Sequence, residues 1–560
     1  MQKISDKKKD LKRLKKQLAL TKRGVNAYHQ QDYKTALKIF NDLMDYDPTD
    51  LTNLTVMADC LVKLGVRDVA VKVIDHCLQH NEPDVDVFMT LGKLAQDMEL
   101  YEIAIKLYRG GIDCDPQHLF FYNNIASVLG AMEKFDEAIE FLQNVLPAFP
   151  ESAPLWNTLA SQVQYRDGYQ AAVVFFKEAL RLDPNFDTAW SNLGIAVDDV
   201  QEAIECDRKA LKINPDNIEP YLGLAHLLLD QGELKEGWAC YEKRRDKRRM
   251  AGGGQGMIFT HNLPEWKGQD LKGKSILVCA EQGLGDEIMF GSLVQEIIKD
   301  GAKVYIGVNN RLVGLFSRAF PEATIVGYAT KQEYGFLYRS FPNVELAIRR
   351  GELSIDYFTA IASPAQYYWS DPKRLPVYRA GYLKAKEENI EKWRQRISAL
   401  PNGLNVGIAW RSGNMAASRV SQYASSGEFA PILTVEGVNF INMQYGNVAE
   451  EIKAFEDDLD VKIHTWDDFD VKMDLETNYA VAANLDLVIA PGTTPGVISM
   501  TAGTPTRMFG KRIFYWRLGQ DHVPMFPNCK IDVVSLYDDY SALFQSYRQL
   551  LQDMVKEKLG

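Results

Sequence analysis

The sequence predicts an α + α/β multidomain protein: an N-terminal all-α array of helix pairs followed by two α/β halves built on parallel sheets. Three observations carry this. Pro48, Pro83, Pro116, Pro150, Pro184 and Pro215 recur at intervals of 35, 33, 34, 34 and 31 residues. Further along, short apolar runs alternate with helical stretches, the signature of βαβ units. Finally, 560 residues are too many for one hydrophobic core, because single cores stop growing at roughly 250–300 residues.

A period near 34 residues is that of the tetratricopeptide repeat, a helix–turn–helix unit. The clearest unit places Trp156, Leu159 and Ala160 on its first helix and Ala172, Phe176 and Ala179 on its second, before Asp183-Pro184. Large residues fill the space between paired helices and small ones let the axes approach. Equivalent slots hold Phe88, Leu91, Gly92, Ala104 and Tyr108, then Trp190, Leu193, Gly194, Ala203 and Ala210. The unit from Trp190 is three residues short at Val197-Asp198-Asp199, where its helices should turn more tightly. The count is seven helix pairs, the first and last degenerate, as capping units often are. Such pairs stack into a superhelix whose concave face holds a peptide or protein, and Asn123, Asn124, Asn157 and Asn192 read either as clamps on a peptide backbone or as solvated helix surface.

The net charge of −11 argues against a general nucleic-acid binder, which carries a basic stripe. The one basic block is residues 1–24, ten Lys and Arg against two Asp, read as a solvated helical lead-in to the first repeat. No run of about 18 apolar residues suggests a membrane span, and no apolar stretch follows the basic start as in a secretion signal. A cytoplasmic location is expected. Seven scattered cysteines without a C-x-x-C pair fit reduced thiols rather than a zinc site or disulfide framework.

The expected organisation is a basic lead-in helix over 1–20, the repeats over 21–245, a linker over 246–270, a first α/β domain over 271–400 and a second α/β domain over 401–560. The linker contains the cluster Ala251-Gly252-Gly253-Gly254, which cannot bury enough to stay ordered. Strands are expected at 275–280, 303–308, 324–328 and 357–362, then at 405–410, 439–444, 461–466, 486–490 and 506–509. The terminal helix over 540–558 is expected to cross back over the first half.

Ligands of open parallel sheets bind beyond the carboxyl ends of the strands, so the loops there are the places to search. In Glu281-Gln282-Gly283-Leu284-Gly285-Asp286-Glu287, the glycines Gly283 and Gly285 permit a tight turn and close approach of a ligand. Asp286 then stands at a helix start, either as general base for an acceptor hydroxyl or simply as an N-cap. In Ala490-Pro491-Gly492-Thr493-Thr494-Pro495, a helix start offers amides and hydroxyls to a diphosphate, although a cap alone also explains either threonine. Arg411, in Trp410-Arg411-Ser412-Gly413, is placed to neutralise a departing phosphate.

The runs PEWKGQDLKGKSILVCAEQGLGDEIMF, NVGIAWRSG, FINMQ and NLDLVIAPGTTPGVISMTAGTPT together resemble bacterial tetratricopeptide-repeat glycosyltransferases, whose catalytic half is similar to the lipopolysaccharide heptosyltransferases. The resemblance covers nearly the whole chain. It implies a GT-B fold of two Rossmann-like domains, with Asp286 as the base. It also implies donor contacts from Arg411, Ser412, Gly413, Gln444, Gly492, Thr493 and Thr494. Many relatives read D-T-x-x-x-H in the last loop, whereas Gly492 and Val497 stand at those aspartate and histidine positions here. GT-B enzymes usually need no metal and no cofactor beyond the donor. Accordingly Asp458, Asp460, Asp468 and Asp470, which mimic a D-x-D motif, read as solvated loop carboxylates.

The expected function is therefore transfer of a sugar from a nucleotide-sugar to a Ser or Thr hydroxyl of a protein recruited by the repeats, flagellin being one such acceptor. Two alternatives stand beside it: a non-enzymatic scaffold with an inert α/β half, and a transferase in cell-surface glycan synthesis.

Overall fold

A computed structural model describes residues 2–30, 32–80, 82–246, 257–281, 283–333, 336–413 and 423–560. By internal contacts the chain divides into two compact units, Met1–Ala189 with Gln332–Phe336 and Trp190–Lys331 with Leu337–Gly560.

The N-terminal region is all-helical and follows the tetratricopeptide pattern. Its helices pair as α1 (Gln2–His29) with α2 (Tyr33–Leu43), α3 (Leu51–Lys63) with α4 (Arg67–His80), α5 (Val85–Asp97) with α6 (Tyr101–Cys114), α7 (Leu119–Ala131) with α8 (Phe135–Val145), α9 (Ala153–Asp167) with α10 (Tyr169–Leu182), α11 (Asp187–Ala196) with α12 (Val200–Ile213), and α13 (Glu219–Asp230) with α14 (Leu234–Tyr241). The basic lead-in is continuous with the first repeat helix, since both lie in α1. Helix starts are fixed by side chains: Asp50, Asp84 and Ser152 each accept a hydrogen bond from the backbone N–H three residues on, satisfying a donor the helix itself leaves orphaned. The expected small-to-large packing is present. A Cβ on Gly92 would lie 2.4 Å from the ring of the fully buried Tyr108, so only glycine lets α5 approach α6 this closely.

In the second unit the short repeat is shortened at the expected turn. α11 ends at Ala196, and Asp199 caps α12 by accepting from the Glu202 N–H at 2.7 Å. The carbonyls that α11 leaves unpaired are met by side chains from far along the chain. Arg512 donates to Gly194 O at 2.9 Å and to Val197 O, while the Tyr537 hydroxyl donates to Ala196 O at 3.1 Å. The last pair is also built into the α/β region. Leu229, Leu234 and Trp238 belong to one core with both sheets. Trp238 lies 6.0 Å from Trp369 and donates from Nε1 to Trp369 O at 3.1 Å. By internal contacts the chain therefore divides within α11, while the helix pairs expected over 21–245 continue to Tyr241. The degenerate last repeat is no polar cap, because its outer face is apolar and covered. Of the expected linker 246–270, residues 247–256, including the glycine cluster 252–254, lie outside the described residues, and Met257–Phe259 forms a strand.

Three sheets follow. The strands are β1 (Met257–Phe259), β2 (Ser275–Cys279), β3 (Lys303–Val308), β4 (Thr324–Gly327), β5 (Ala329–Glu333), β6 (Phe336–Ser340), β7 (Tyr357–Ala360), β8 (Leu404–Ile408), β9 (Val438–Asn442), β10 (Ile463–His464), β11 (Leu487–Pro491), β12 (Thr506–Lys511), β13 (His522–Val523) and β14 (Phe526–Val534). A four-stranded sheet has the order β4-β3-β2-β7, a seven-stranded one β10-β9-β8-β11-β12-β14-β13, and a small one β1-β6-β5. In the four-stranded sheet all pairings are parallel, and in the seven-stranded sheet only β13 runs antiparallel to its neighbour. Chain order reverses at β2 in one sheet and between β8 and β11 in the other, and such switch points open a crevice at the carboxyl ends of the strands.

Two placements differ from expectation. The terminal helix Ser541–Leu559 does not cross the first half; it packs on the seven-stranded sheet, with Phe544 5.3 Å from Phe429 and 5.1 Å from Phe509. The helix Glu387–Ser398, counted with the first half, also packs on the second, its Trp393 lying 5.0 Å from Trp466. Apolar faces decide both, since each helix covers the nearest uncovered aromatic surface.

Candidate functional site

The loops after β2, β8 and β11 converge on one cavity of about 490 Å³, whose lining includes Gly283, Gly285, Asp286, Ser412, Gly492, Thr493 and Thr494. Seven of the ten sequence-nominated residues thus meet.

Behind β2 the turn runs through Gly283, with φ +94°, into the helix Leu284–Gly291. A Cβ on Gly283 would lie 2.5 Å from the Asp286 carboxylate, so glycine is required both for the backbone angle and for room. Gly283 is the N-cap; Asp286 sits inside the first turn and makes no capping bond, so it is not the cap. Burial, the neighbouring Glu281 charge and Glu287 push its carboxyl up to about 7, against the pull of Arg244. Glu287 turns the other way, into the fold. There it accepts from the Asn309 N–H at 2.9 Å and the Tyr328 hydroxyl at 2.6 Å, beside the buried Arg339.

After β11 the helix Thr494–Ala502 starts with Thr493 as N-cap, and Thr493 makes no side-chain capping bond. A Cβ on Gly492 would lie 2.3 Å from the Phe514 ring. The glycine therefore makes space for an aromatic wall. Val497 is fully buried and lines the cavity. The two loops oppose each other closely, for a Cβ built on Gly285 would stand 3.7 Å from Val497 and 3.8 Å from the Thr494 hydroxyl.

The remaining nominees support the loop after β8 without lining the cavity. Gln444, fully buried at the end of β9, accepts at Oε1 from the backbone N–H groups of Trp410 and Arg411, both at 3.0 Å. Arg411, expected at the leaving phosphate, instead forms a two-pronged pair with Glu451, one prong at 2.9 Å, and Trp410 donates to the same carboxylate at 2.7 Å. The charge of Glu451 draws the guanidinium away from the cavity. Gly413 lets the Tyr445 ring approach to 2.6 Å of where a Cβ would stand. Residues 414–422 lie outside the described residues.

Sequence reasoning missed the rest of the lining. Ile513, Phe514, Tyr515 and Trp516 form one wall, and His226 reaches in from α13. The aromatic run 514–516 was a visible signal, whereas His226 lies in Gly-Leu-Ala-His-Leu-Leu-Leu, which reads as helix core. The last repeat grips both sides of this cavity. The buried Asp230 accepts from the Phe514 N–H at 2.9 Å and faces Arg517 at 3.6 Å. Arg244 donates to both carboxylate oxygens of Glu281, at 3.1 and 2.9 Å.

Other nominated features lie elsewhere. Asp468 pairs with Arg396 at 2.8 Å, Asp470 accepts from the Lys472 and Met473 backbone, and neither these nor Asp458 and Asp460 line the cavity. Among the described residues no group of three or more His, Cys, Asp or Glu is arranged to hold a metal, and no helix is long and apolar enough to cross a membrane. In the first unit, Asn124 donates to Phe120 O at 2.7 Å and Asn123 accepts from the Thr158 hydroxyl at 2.5 Å, so these two clamp candidates are engaged within the array. That unit has a separate groove of about 490 Å³, with Lys106, Arg109, Glu137 and Glu140 around Leu129 and Phe141.

Residues 121–149 match the tetratricopeptide repeat. Over 317 residues the chain is 31% identical to Protein FlbA of Caulobacter vibrioides, an alignment covering 56% of this chain and 51% of that protein. The chain thus spans about half the length of that relative. It is also 26% identical over 96 residues to the Hsp70-Hsp90 organizing protein of Triticum aestivum, covering 17% of this chain and 16% of that one. Among solved structures, MamA aligns with 30% of this chain and 94% of its own at 22% identity and a TM-score of 0.24. A tetratricopeptide repeat protein from Parabacteroides merdae aligns with 40% and 91% at 13% identity and a TM-score of 0.31. The N-terminal region is a tetratricopeptide scaffold, an architecture that presents extended surfaces to peptide or protein partners.

Proposed function

We propose that this chain is a glycosyltransferase that moves a sugar from a nucleotide-sugar to a hydroxyl of a protein recruited by the repeats. The observation that carries the reading is the convergence of three loops, each at a switch point of a parallel sheet, on one cavity holding a carboxyl with a pKa of about 7. A general base performs best when its pKa lies near the working pH. Asp286 takes the acceptor hydroxyl's proton as that oxygen attacks the anomeric carbon. The bond from that carbon to the nucleotide's phosphate oxygen then breaks, its electron pair leaving with the phosphate. The hydroxyls of Ser412, Thr493 and Thr494 and the amides at the start of the helix Thr494–Ala502 receive that charge. In this reading Arg411 and Gln444 are positioning residues that hold the loop 410–413.

One observation favours the non-enzymatic scaffold: Gly492 and Val497 replace the aspartate and histidine of many similar transferases. Saturation-transfer NMR of the full chain with a panel of nucleotide sugars separates the two. Binding is expected, followed by a mass increment of one sugar on an acceptor protein in cells that carry the chain and none in cells that lack it. Absence of binding to every member overturns the transferase reading.

A further inference from the structure

His226 lies on the first helix of the last repeat pair, yet its imidazole lines the same cavity as Asp286 and Thr494. Two rings hold it in place. It stacks on Tyr515 at 4.7 Å and 21°, and the Tyr241 ring lies 6.1 Å away. No other described residue hydrogen-bonds to either ring nitrogen, and neither nitrogen is sealed off by the fold. Burial pushes the imidazole down to about 4, so near neutral pH it is uncharged and offers one donor and one acceptor. The next residue of the wall, Trp516, also lines the cavity, with its Nε1–H sealed inside the fold.

An uncharged imidazole adds no ionic attraction for a diphosphate, but its donor and acceptor match a hydroxyl group, which both gives and takes a hydrogen bond. The aromatic faces of Tyr515 and Trp516 match the C–H face of a pyranose ring. Pocket recognition generally works this way, with an apolar wall and a few placed polar groups. We propose that His226, Tyr515 and Trp516 form the subsite for the donor's sugar ring, so that the last repeat pair supplies a specificity-determining side chain to the cleft. This subsite rests on the transferase reading above and adds what the cleft recognises.

The test is calorimetry on the full chain with UDP-glucose, UDP-N-acetylglucosamine, GDP-mannose, TDP-rhamnose and CMP-N-acetylneuraminic acid, each beside its bare nucleotide. His226→Phe keeps the stacking and removes both nitrogens. It is expected to leave bare-nucleotide affinity unchanged and to weaken the bound nucleotide sugar about 3- to 10-fold, the size of one neutral hydrogen bond. His226→Asn, which still donates and accepts, should recover part of that loss. Nitrogen NMR of the histidines in the unsubstituted chain gives an independent reading that requires no variant to fold, with the His226 signal moving on addition of the nucleotide sugar and not of the bare nucleotide. Unchanged sugar-nucleotide affinity in His226→Phe, equal loss for both ligands, or an unmoved His226 signal overturns the subsite while leaving the transferase reading in place. Failure of the unsubstituted chain to bind any probe overturns both.

Discussion

Asp286→Asn is the substitution in which stability and turnover should move in opposite directions. The folded carboxyl titrates near 7, against 3.8 for an unperturbed aspartate. It therefore binds its proton more readily in the folded chain. Its protonation favours the fold below about pH 4, and this contribution is lost as pH rises through 7. If the whole shift appeared as folding energy, ionised Asp286 would cost about 4 kcal/mol at pH 8. Because the side chain borders an open cavity, about half that figure is a better expectation. Asparagine carries no charge at any pH, and no cap is lost, since Gly283 holds that position. Calorimetric melting should thus show Asp286→Asn more stable than the unsubstituted chain by about 2 kcal/mol at pH 8, or roughly 2–3 °C for a unit of this size, with little difference at pH 4. On the proposed transferase reading, turnover should fall by a factor on the order of 100 to 10,000, and the rate of the unsubstituted chain should rise with pH through about 7. An equal melting difference at both pH values, or an active variant, would refute the assignment of Asp286 as a buried, working base.

The other expectations concern the last repeat. Removing residues 1–186 should leave one cooperative melt and intact nucleotide binding, whereas removing 1–245 should abolish both, because Trp238 and Leu234 belong to the core shared with the sheets; both truncations should lose modification of a protein acceptor, and wild-type binding after the longer deletion would contradict this. Asp230→Ala leaves the Phe514 N–H without its acceptor, at about 1–3 kcal/mol, and should lower melting temperature and alter Trp516 fluorescence more than Asp230→Asn, which retains an acceptor oxygen.

Sequence revealed what depends on local periodicity. β3 occupies the expected residues 303–308 because five of its six residues are buried in an unbroken apolar run, a pattern open to no alternation of faces. The nine-residue β14 escaped notice because Pro527, Asn528, Lys530 and Asp532 interrupt it, and only its place beside β12 makes it a strand. The glycine loops were legible because their residues adjoin in sequence, and the fold needed only to bring one loop against another. Arg411 was misplaced because its partner Glu451 lies forty residues on, and no spacing rule distinguishes a phosphate from a carboxylate as its target. His226 was invisible for the same reason in sharper form. It stands among leucines in an ordinary repeat helix, and only long-range packing turns its face toward a cavity built by residues nearly three hundred positions later.

Solenoids ordinarily end in a repeat with a polar outer face, which allows units to be gained or lost at either end. Here the carbonyl end of α11 is already taken by Arg512 and Tyr537, and the pair after it carries a tryptophan shared with the sheets. A repeat inserted after Ala196 would have to break these bonds and move His226 out of register with the cleft. Repeat number in this lineage should therefore vary on the amino-terminal side alone, with the 31-residue unit and its successor inherited as part of the α/β half.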